Sequence, residues 1–292
     1  MTTPSRTTDR LVARDSFIEL TARSRALALL DPDSARELVG PFDHLRSPWL
    51  PLQGITPQED DGCIVMKGRI ARQQAVVLAI EGGFQGGSVG ELGAAKMTAA
   101  LEMARIDCEA GRTTSAVLLP ESGGVRLQEA HLGLAGIAEL LASIVALRRL
   151  APVICLIAGP VGCFGGMSLA AALSSYILMT REARLGMNGP EVIEQESGVT
   201  ELDAADRPLI WSIYGGEQRR ATGLADALVD DDTQQIAETV RQYIARGIPP
   251  VHRSTSPQPC RFGSGPIETA YPWDPSAFHA RWTANRSREE SQ

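Results

Sequence analysis

Leu118-Leu119-Pro120-Glu121-Ser122-Gly123-Gly124-Val125-Arg126-Leu127-Gln128-Glu129 reads as the end of a buried strand, a Ser-Gly-Gly turn and the opening of a long helix. A second stretch repeats the design: Ile154-Cys155-Leu156-Ile157-Ala158-Gly159-Pro160-Val161-Gly162-Cys163-Phe164-Gly165-Gly166-Met167-Ser168. Glycine lets a backbone N–H approach an oxygen without a side chain intervening, and it also permits positive φ. Two such turns, each opening a helix, can serve one anion site without any charged side chain. The bland reading of either turn alone is a tight bend needed for packing.

Around this pair the chain alternates strands and helices. Cys63 to Gly68 and Gln74 to Ile80 read as strands, and Ala75-Val76-Val77-Leu78-Ala79-Ile80 is continuously apolar, as in a sheet covered on both faces. Glu81 to Ser88 is a glycine loop that lacks the GxxxxGK[ST] pattern of a nucleotide P-loop. A helix follows it with Leu92, Ala95, Ala99 and Met103 on one stripe, and then a strand over Arg112 to Leu119. The long helix is predicted over Arg126 to Leu150, its apolar stripe running Leu127, Ala130, Leu134, Ile137, Leu141, Ile144, with Pro152 as its stop. Strands at Val153 to Ala158 and Tyr176 to Thr180 flank a short helix from Met167. Glu217 to Val229 reads as helix, glycine bend and strand. Thr233 to Arg246 is helical and ends at Gly247. Toward the N-terminus, Asp15 to Leu30 has helical spacing, and Asp31 to Ser34 reads as the cap of a further short helix. The pattern is α/β, with helices covering a buried sheet. The divisions expected are an N-terminal helical and loop segment over 1–60, a main domain over 61–250, and an irregular tail over 251–292 that holds Tyr271, Trp273, Phe278 and Trp282. Trp49 and Leu50 read either as core plugs, the favoured reading, or as surface contacts.

Composition bounds the function. A chain of 292 residues with 43% hydrophobic and 22% charged content can bury a sizeable core. A net charge of −7 argues against nucleic acid, and no run of 18 apolar residues marks a membrane span. The first 14 residues are polar and hold no apolar signal region. Cys63, Cys108, Cys155, Cys163 and Cys260 are scattered and form no CxxC, which points to a reducing cytoplasm. Cys163 reads as a small filler: a cysteine nucleophile needs a base, and His44, His131, His252 and His279 lie in no informative motif. Asp230-Asp231-Asp232 reads as a solvated helix cap, and no spacing of ligands suggests a metal. Arg126, Gln128 and Glu129 either orient a substrate or hold the turn by hydrogen bonds.

Taken together, Gly83-Phe84-Gln85-Gly86-Gly87-Ser88-Val89-Gly90-Glu91, Glu121 to Glu129, Pro152 to Pro160, Gly165-Gly166 and Asn188-Gly189-Pro190-Glu191-Val192-Ile193 resemble the carboxyltransferase branch of the crotonase-like superfamily. The similarity runs in order through residues 62–198. Gly162-Cys163-Phe164-Gly165-Gly166-Met167 and Gly215 to Gly223 are similar to the β-subunit family of biotin-independent malonate decarboxylases. Two departures from the acetyl-CoA carboxylase β subunit favour that branch: no four-cysteine zinc module near the N-terminus, and a longer loop over Gly159 to Gly166.

The resemblance implies a crotonase-like ββα superhelical spiral forming a carboxyltransferase half-domain. It implies partnership with a γ subunit, an acyl carrier protein subunit and an acyl transferase (α) subunit. The substrate implied is malonyl on the phosphopantetheine-type, CoA-like arm of the carrier. The chain itself would bind no covalent cofactor, and biotin is not required. The superfamily's oxyanion donors map onto the Ser122-Gly123-Gly124-Val125 turn, at Gly124 or Val125, and onto Gly165 or Gly166. Phe84, Gly86, Gly87, Ser122, Arg126, Gln128 and Cys163 are then expected to line the acyl-arm path. Arg69, Arg72, Arg126 and Lys96 either meet an acidic carrier surface or belong to solvated faces. Two rival expectations are a subunit of a biotin-dependent acyl-CoA carboxylase or decarboxylase, and a non-catalytic partner of the same fold.

Overall fold

The computed structural model describes residues 14–59 and 61–255. Seven strands lie in one sheet in chain order: β1 (Arg36–Val39), β2 (Cys63–Ile70), β3 (Gln73–Ile80), β4 (Thr114–Leu119), β5 (Val153–Ile157), β6 (Tyr176–Thr180) and β7 (Ala227–Val229). The first three are paired antiparallel. From β3 onward every pairing is parallel, with Val77 opposite Val117, Val117 opposite Ile154, and Leu156 opposite Leu178. Parallel neighbours need crossovers, and these are the helices α2 (Glu91–Glu109), α3 (Ala130–Leu147) and α4 (Gly166–Leu173). The helices α1 (Ala22–Leu29), α5 (Pro190–Ser197), α6 (Arg207–Tyr214), α7 (Gly216–Ala221) and α8 (Thr233–Arg246) complete the described chain.

The apolar run of β3 explains the layering. Val76, Leu78 and Ile80 point to one face, where they meet Met97 of α2 and Ile137, Leu140 and Ile144 of α3. Ala75, Val77 and Ala79 point to the other, against Phe17, Leu29 of α1 and Ile236 and Val240 of α8. A sheet sealed on both sides has no room for polar alternation, and each fully buried Val, Leu or Ile contributes roughly 1.5–3 kcal/mol.

Beyond the strand ends runs a second ladder made of single-residue bridges. Val89 pairs with Val125, Ser122 with Cys163, and Cys163 with Leu185, all parallel. The repeat is therefore strand, turn, bridge and helix: a ββα unit whose second strand has shrunk to a bridge. That ladder stitches the glycine turns to one another.

Several expectations change. The segment before residue 60, expected as helix and loop, also supplies β1 to the sheet, and α1 packs into the core beneath it. Asp31 to Ser34 does not cap a helix; the Asp31 carboxylate accepts the amides of Ala71 and Arg72, at 3.1 and 2.8 Å, and so holds the β2–β3 hairpin tip, where both residues have positive φ. The 15–30 helix is shorter than its spacing suggests and begins only at Ala22, capped by the Thr21 side chain. Trp49 is not a plug: it is 56% exposed while Leu50 is buried. The aromatic tail beyond residue 255 lies outside the described residues.

Candidate functional site: two glycine turns in contact

The two turns meet. A Cβ placed on Gly124 would lie 3.3 Å from the Gly165 Cα, and one placed on Gly165 would lie 3.1 Å from the Gly124 Cα. Gly124 has φ 122° and Gly165 φ 55°, conformations in which any side chain is strained. The ladder sets this approach, since Ser122 N donates to Gly162 O (2.8 Å) and Phe164 N to Ser122 O (2.9 Å).

Most backbone donors of the two turns are already engaged within the chain. Gly123 N donates to Gly86 O at 2.9 Å, and Gly165 N to Met187 O at 2.7 Å. Gly124 N donates to the Ser122 Oγ at 3.1 Å. Met167 N and Ser168 N, in the first turn of α4, donate to Phe164 O and Gly165 O. Among the described residues this leaves the N–H of Val125 and of Gly166 without an acceptor. One follows Gly124 in the first turn; the other opens α4, where the helix dipole adds to its attraction for negative charge.

The remaining predicted residues divide into those near the opening and those that brace it. Ser122 is fully buried, and its hydroxyl donates to Gly87 O at 2.6 Å, so it locks the first turn rather than facing a ligand. Cys163 is also fully buried; burial, reinforced by a hydrogen bond with Cys155, pushes its thiol well above its ordinary value. Its side chain is enclosed by the core, which agrees with its reading as a filler. Arg126 is 2% exposed and engaged within the chain, with Nη1 on Glu129 Oε1 (3.2 Å), Nη2 on Ser88 O (3.0 Å) and the guanidinium over the Phe84 ring. Glu129 in turn accepts the Glu91 amide that opens α2. Arg126 is thus a clamp on the 84–91 loop, and Phe84 is its half-buried platform. Gly86 and Gln128 are exposed. Gly87 is buried, and a Cβ there would sit 1.8 Å from Glu121 O, so no side chain fits. Lys96 is spent on Asp61 at 2.7 Å, and Arg69 stands by the hairpin tip, at the end of β3 remote from the turns.

Sequence reasoning passed over Glu121. It is 5% exposed and directly precedes the first turn, yet its Oε1 accepts the amides of Val161 (2.6 Å) and Gly162 (3.3 Å) from the second. The signal was present: a lone carboxylate following an apolar strand and a proline. Arg184 holds the same loop by its carbonyls, with Nη2 on Pro160 O at 2.8 Å and the guanidinium over Phe164 and Trp211. Among the described residues no group of three or more His, Cys, Asp or Glu could hold a metal ion.

A ββα ladder with paired glycine turns defines a crotonase-like carboxyltransferase half-domain. Residues 18–288 match the carboxyl transferase domain family, and the chain belongs to that family. A malonyl-S-ACP:biotin-protein carboxyltransferase of Malonomonas rubra is 40% identical over 241 residues, covering 79% of this chain and 76% of that protein. A chain of a Pseudomonas malonate decarboxylase hetero-tetramer, solved in complex with malonate, is 54% identical with a TM-score of 0.87, over 94% of this chain and 99% of that one. A chain of the Pseudomonas MdcD–MdcE hetero-dimer is 52% identical with a TM-score of 0.70, over 84% and 93%.

Proposed function

We propose that this chain is the β subunit of a malonate decarboxylase, converting malonyl on an acyl carrier protein to the acetyl thioester with release of carbon dioxide. The observation that carries the mechanism is the contact of two turns that each keep one unpartnered N–H, on Val125 and Gly166. Cleaving the C–C bond moves an electron pair toward the thioester carbonyl and forms an enolate oxygen. Fixed amides stabilise that oxygen as its charge grows, and loss of one such donor typically costs roughly 3 kcal/mol. No side-chain acid is needed for the cleavage; a proton must then reach the enolate carbon from water or from a partner subunit.

The partner is a second subunit of the same fold, the γ subunit, which we place on the exposed face of α3. Support comes from the hetero-dimeric and hetero-tetrameric relatives and from α3 itself. Leu127–Leu147 is long and apolar enough by composition to cross a membrane, yet it packs on α2 and α4 and leaves Leu134 58% exposed. The carrier protein and the acyl transferase subunit complete the assembly in this reading.

Biotin separates this from the second reading, which the Malonomonas relative motivates, because that protein passes its carboxyl group to a biotin protein. The test is decarboxylation by the co-purified complex with malonyl carrier protein, with and without avidin. Release of carbon dioxide unaffected by avidin supports the decarboxylase; strict dependence on a biotin protein supports the carboxyltransferase. A Gly124→Val complex that keeps full turnover would remove the site.

A further inference from the structure

All three glycine-bearing loops converge on one buried carboxylate. A Cβ on Gly82 would strike the Glu121 Cγ at 2.3 Å, and a Cβ on Gly159 would strike its Oε2 at 1.3 Å. The side chain thus occupies a slot that exists only because these positions are glycine. Its Oε1 takes the two amides of Val161 and Gly162, and its Oε2 takes Arg25 Nη1 at 2.5 Å. Arg25, 8% exposed, spends its other nitrogens on carbonyls: Nε on Phe17 O at 3.1 Å and Nη2 on Ile18 O at 2.5 Å.

A buried ion pair is poor value as a source of stability, because removing two charges from water costs about as much as their attraction returns. What this one provides is geometry. Oε1 grips residues 161 and 162 just before Cys163, the bridge residue of the second turn. Its own backbone leads directly into Ser122, the bridge residue of the first. The segment that delivers Arg25 is anchored at further strand ends: Ala22 N donates to Glu81 Oε2 after β3, and Ile18 N to Asp231 Oδ1 after β7, both at 3.0 Å. Residues 16–25 therefore form a strap across the C-terminal ends of the sheet, where the turns begin.

We propose that Glu121, paired with Arg25, is a positioning residue that sets the separation of the Val125 and Gly166 amides. The role rests on the decarboxylase reading for its consequence in catalysis, though not for its consequence in structure. A carboxylate that fixes donors used only as the enolate forms affects kcat rather than substrate affinity.

The experiment uses the complete complex carrying Glu121→Gln, which keeps the size and one acceptor but loses the charge, and in parallel Arg25→Lys, which keeps a cation but loses the fork. The readouts are kcat and KM for malonyl carrier protein, and hydrogen exchange of the amides over residues 159–166 against those of β5 and α3. The expected result is a fall in kcat of about tenfold or more for Glu121→Gln. KM stays within about twofold, since the displaced donors act only as the enolate forms. Exchange quickens over 159–166 and is unchanged in β5 and α3. Arg25→Lys shows the same pattern at smaller amplitude, and it decides the matter if Glu121→Gln does not assemble. Wild-type kcat, or exchange over 159–166 that does not change, overturns the proposal. Should the wild-type complex release no carbon dioxide, the decarboxylase reading falls, and the exchange measurement alone then decides whether Glu121 holds the turns.

Discussion

Gly165 shows how narrowly one position can be specified. Its φ of 55° and ψ of −133° fall where only glycine is comfortable, and a methyl group there would press on Gly124 and stand 3.8 Å from the Val125 nitrogen. Gly165→Ala therefore has two ways to do harm: backbone strain of about 1–3 kcal/mol, and displacement of a proposed donor. We expect kcat for malonyl-carrier decarboxylation to drop by about 10²-fold, the typical loss for one oxyanion donor. Steady-state rates on the assembled complex check this, and a variant within about threefold of wild type would remove Gly165 from the site. The need for glycine at 124 and 165 was legible in the sequence, and both positions have positive φ. The choice between neighbouring amides was not, because it depends on Met187 O and Ser122 Oγ, acceptors that the chain supplies only once folded.

Elements show where periodicity is informative and where it fails. The helix over 233–246 and the strands of the apolar runs were readable because each has a single apolar face or none exposed. The long helix is present, but its start and part of its buried face differ from the periodicity. Its start moves from 126 to 130, because the Arg126–Glu129 pair draws 127–129 into a separate 3-10 turn and Ala130 then takes a φ of 47°. Its buried face is Gly133, Gly136, Ile137, Leu140 and Ile144, while Leu127 and Leu134 of the predicted stripe point outward. A helix apolar all round gives no moment to orient it, so close packing decides: a Cβ on Gly136 would come within 2.8 Å of Ala94 on α2. At its other end α2 is lashed to β2, with Asp107 meeting Lys67 and Arg112, each at 2.6 Å. Those hydrogen bonds hold the Asp107 carboxyl below its ordinary value of 3.8. A carboxyl depressed in the folded state adds stability that is complete above the unfolded value and disappears as pH falls through the folded one. Asp107→Asn should therefore be less stable than wild type to urea at neutral pH. That deficit should shrink below about pH 4. An equal deficit at pH 7 and pH 3 would mean that packing, rather than charge, is the source.

At the scale of the molecule, one face of α3 is left apolar and exposed. Ala130, Leu134, Ala135, Ala138 and Ala142 form an exposed, mainly small and apolar strip along α3, with His131 within it and Glu139 at its edge, beside the turn that carries Val125, and Leu169 on α4 is 41% exposed. A strip of this kind left in water favours association, and small side chains allow another backbone to approach closely. The proposed donors still need a wall to exclude water and a route for the thioester arm, and in the reading proposed above both come from the subunit that covers α3. The folded chain and the assembled site are then separable, which a single charge can test. Leu134→Asp places a carboxylate in the middle of the strip, where no described contact of the isolated chain is lost. We expect the purified subunit to melt within a few degrees of wild type, since exposed substitutions usually change stability by less than about 0.5 kcal/mol. Its dissociation constant for the partner subunit proposed above should rise by about tenfold or more, as when a charge is buried unpaired at an interface core. Decarboxylation at limiting partner concentration should fall with it and recover as partner is added. Calorimetric titration of the two subunits, followed by the rate at rising partner concentration, distinguishes the outcomes. Undiminished binding by Leu134→Asp would move the interface off α3, and lost activity that excess partner cannot restore would place the damage in the site itself.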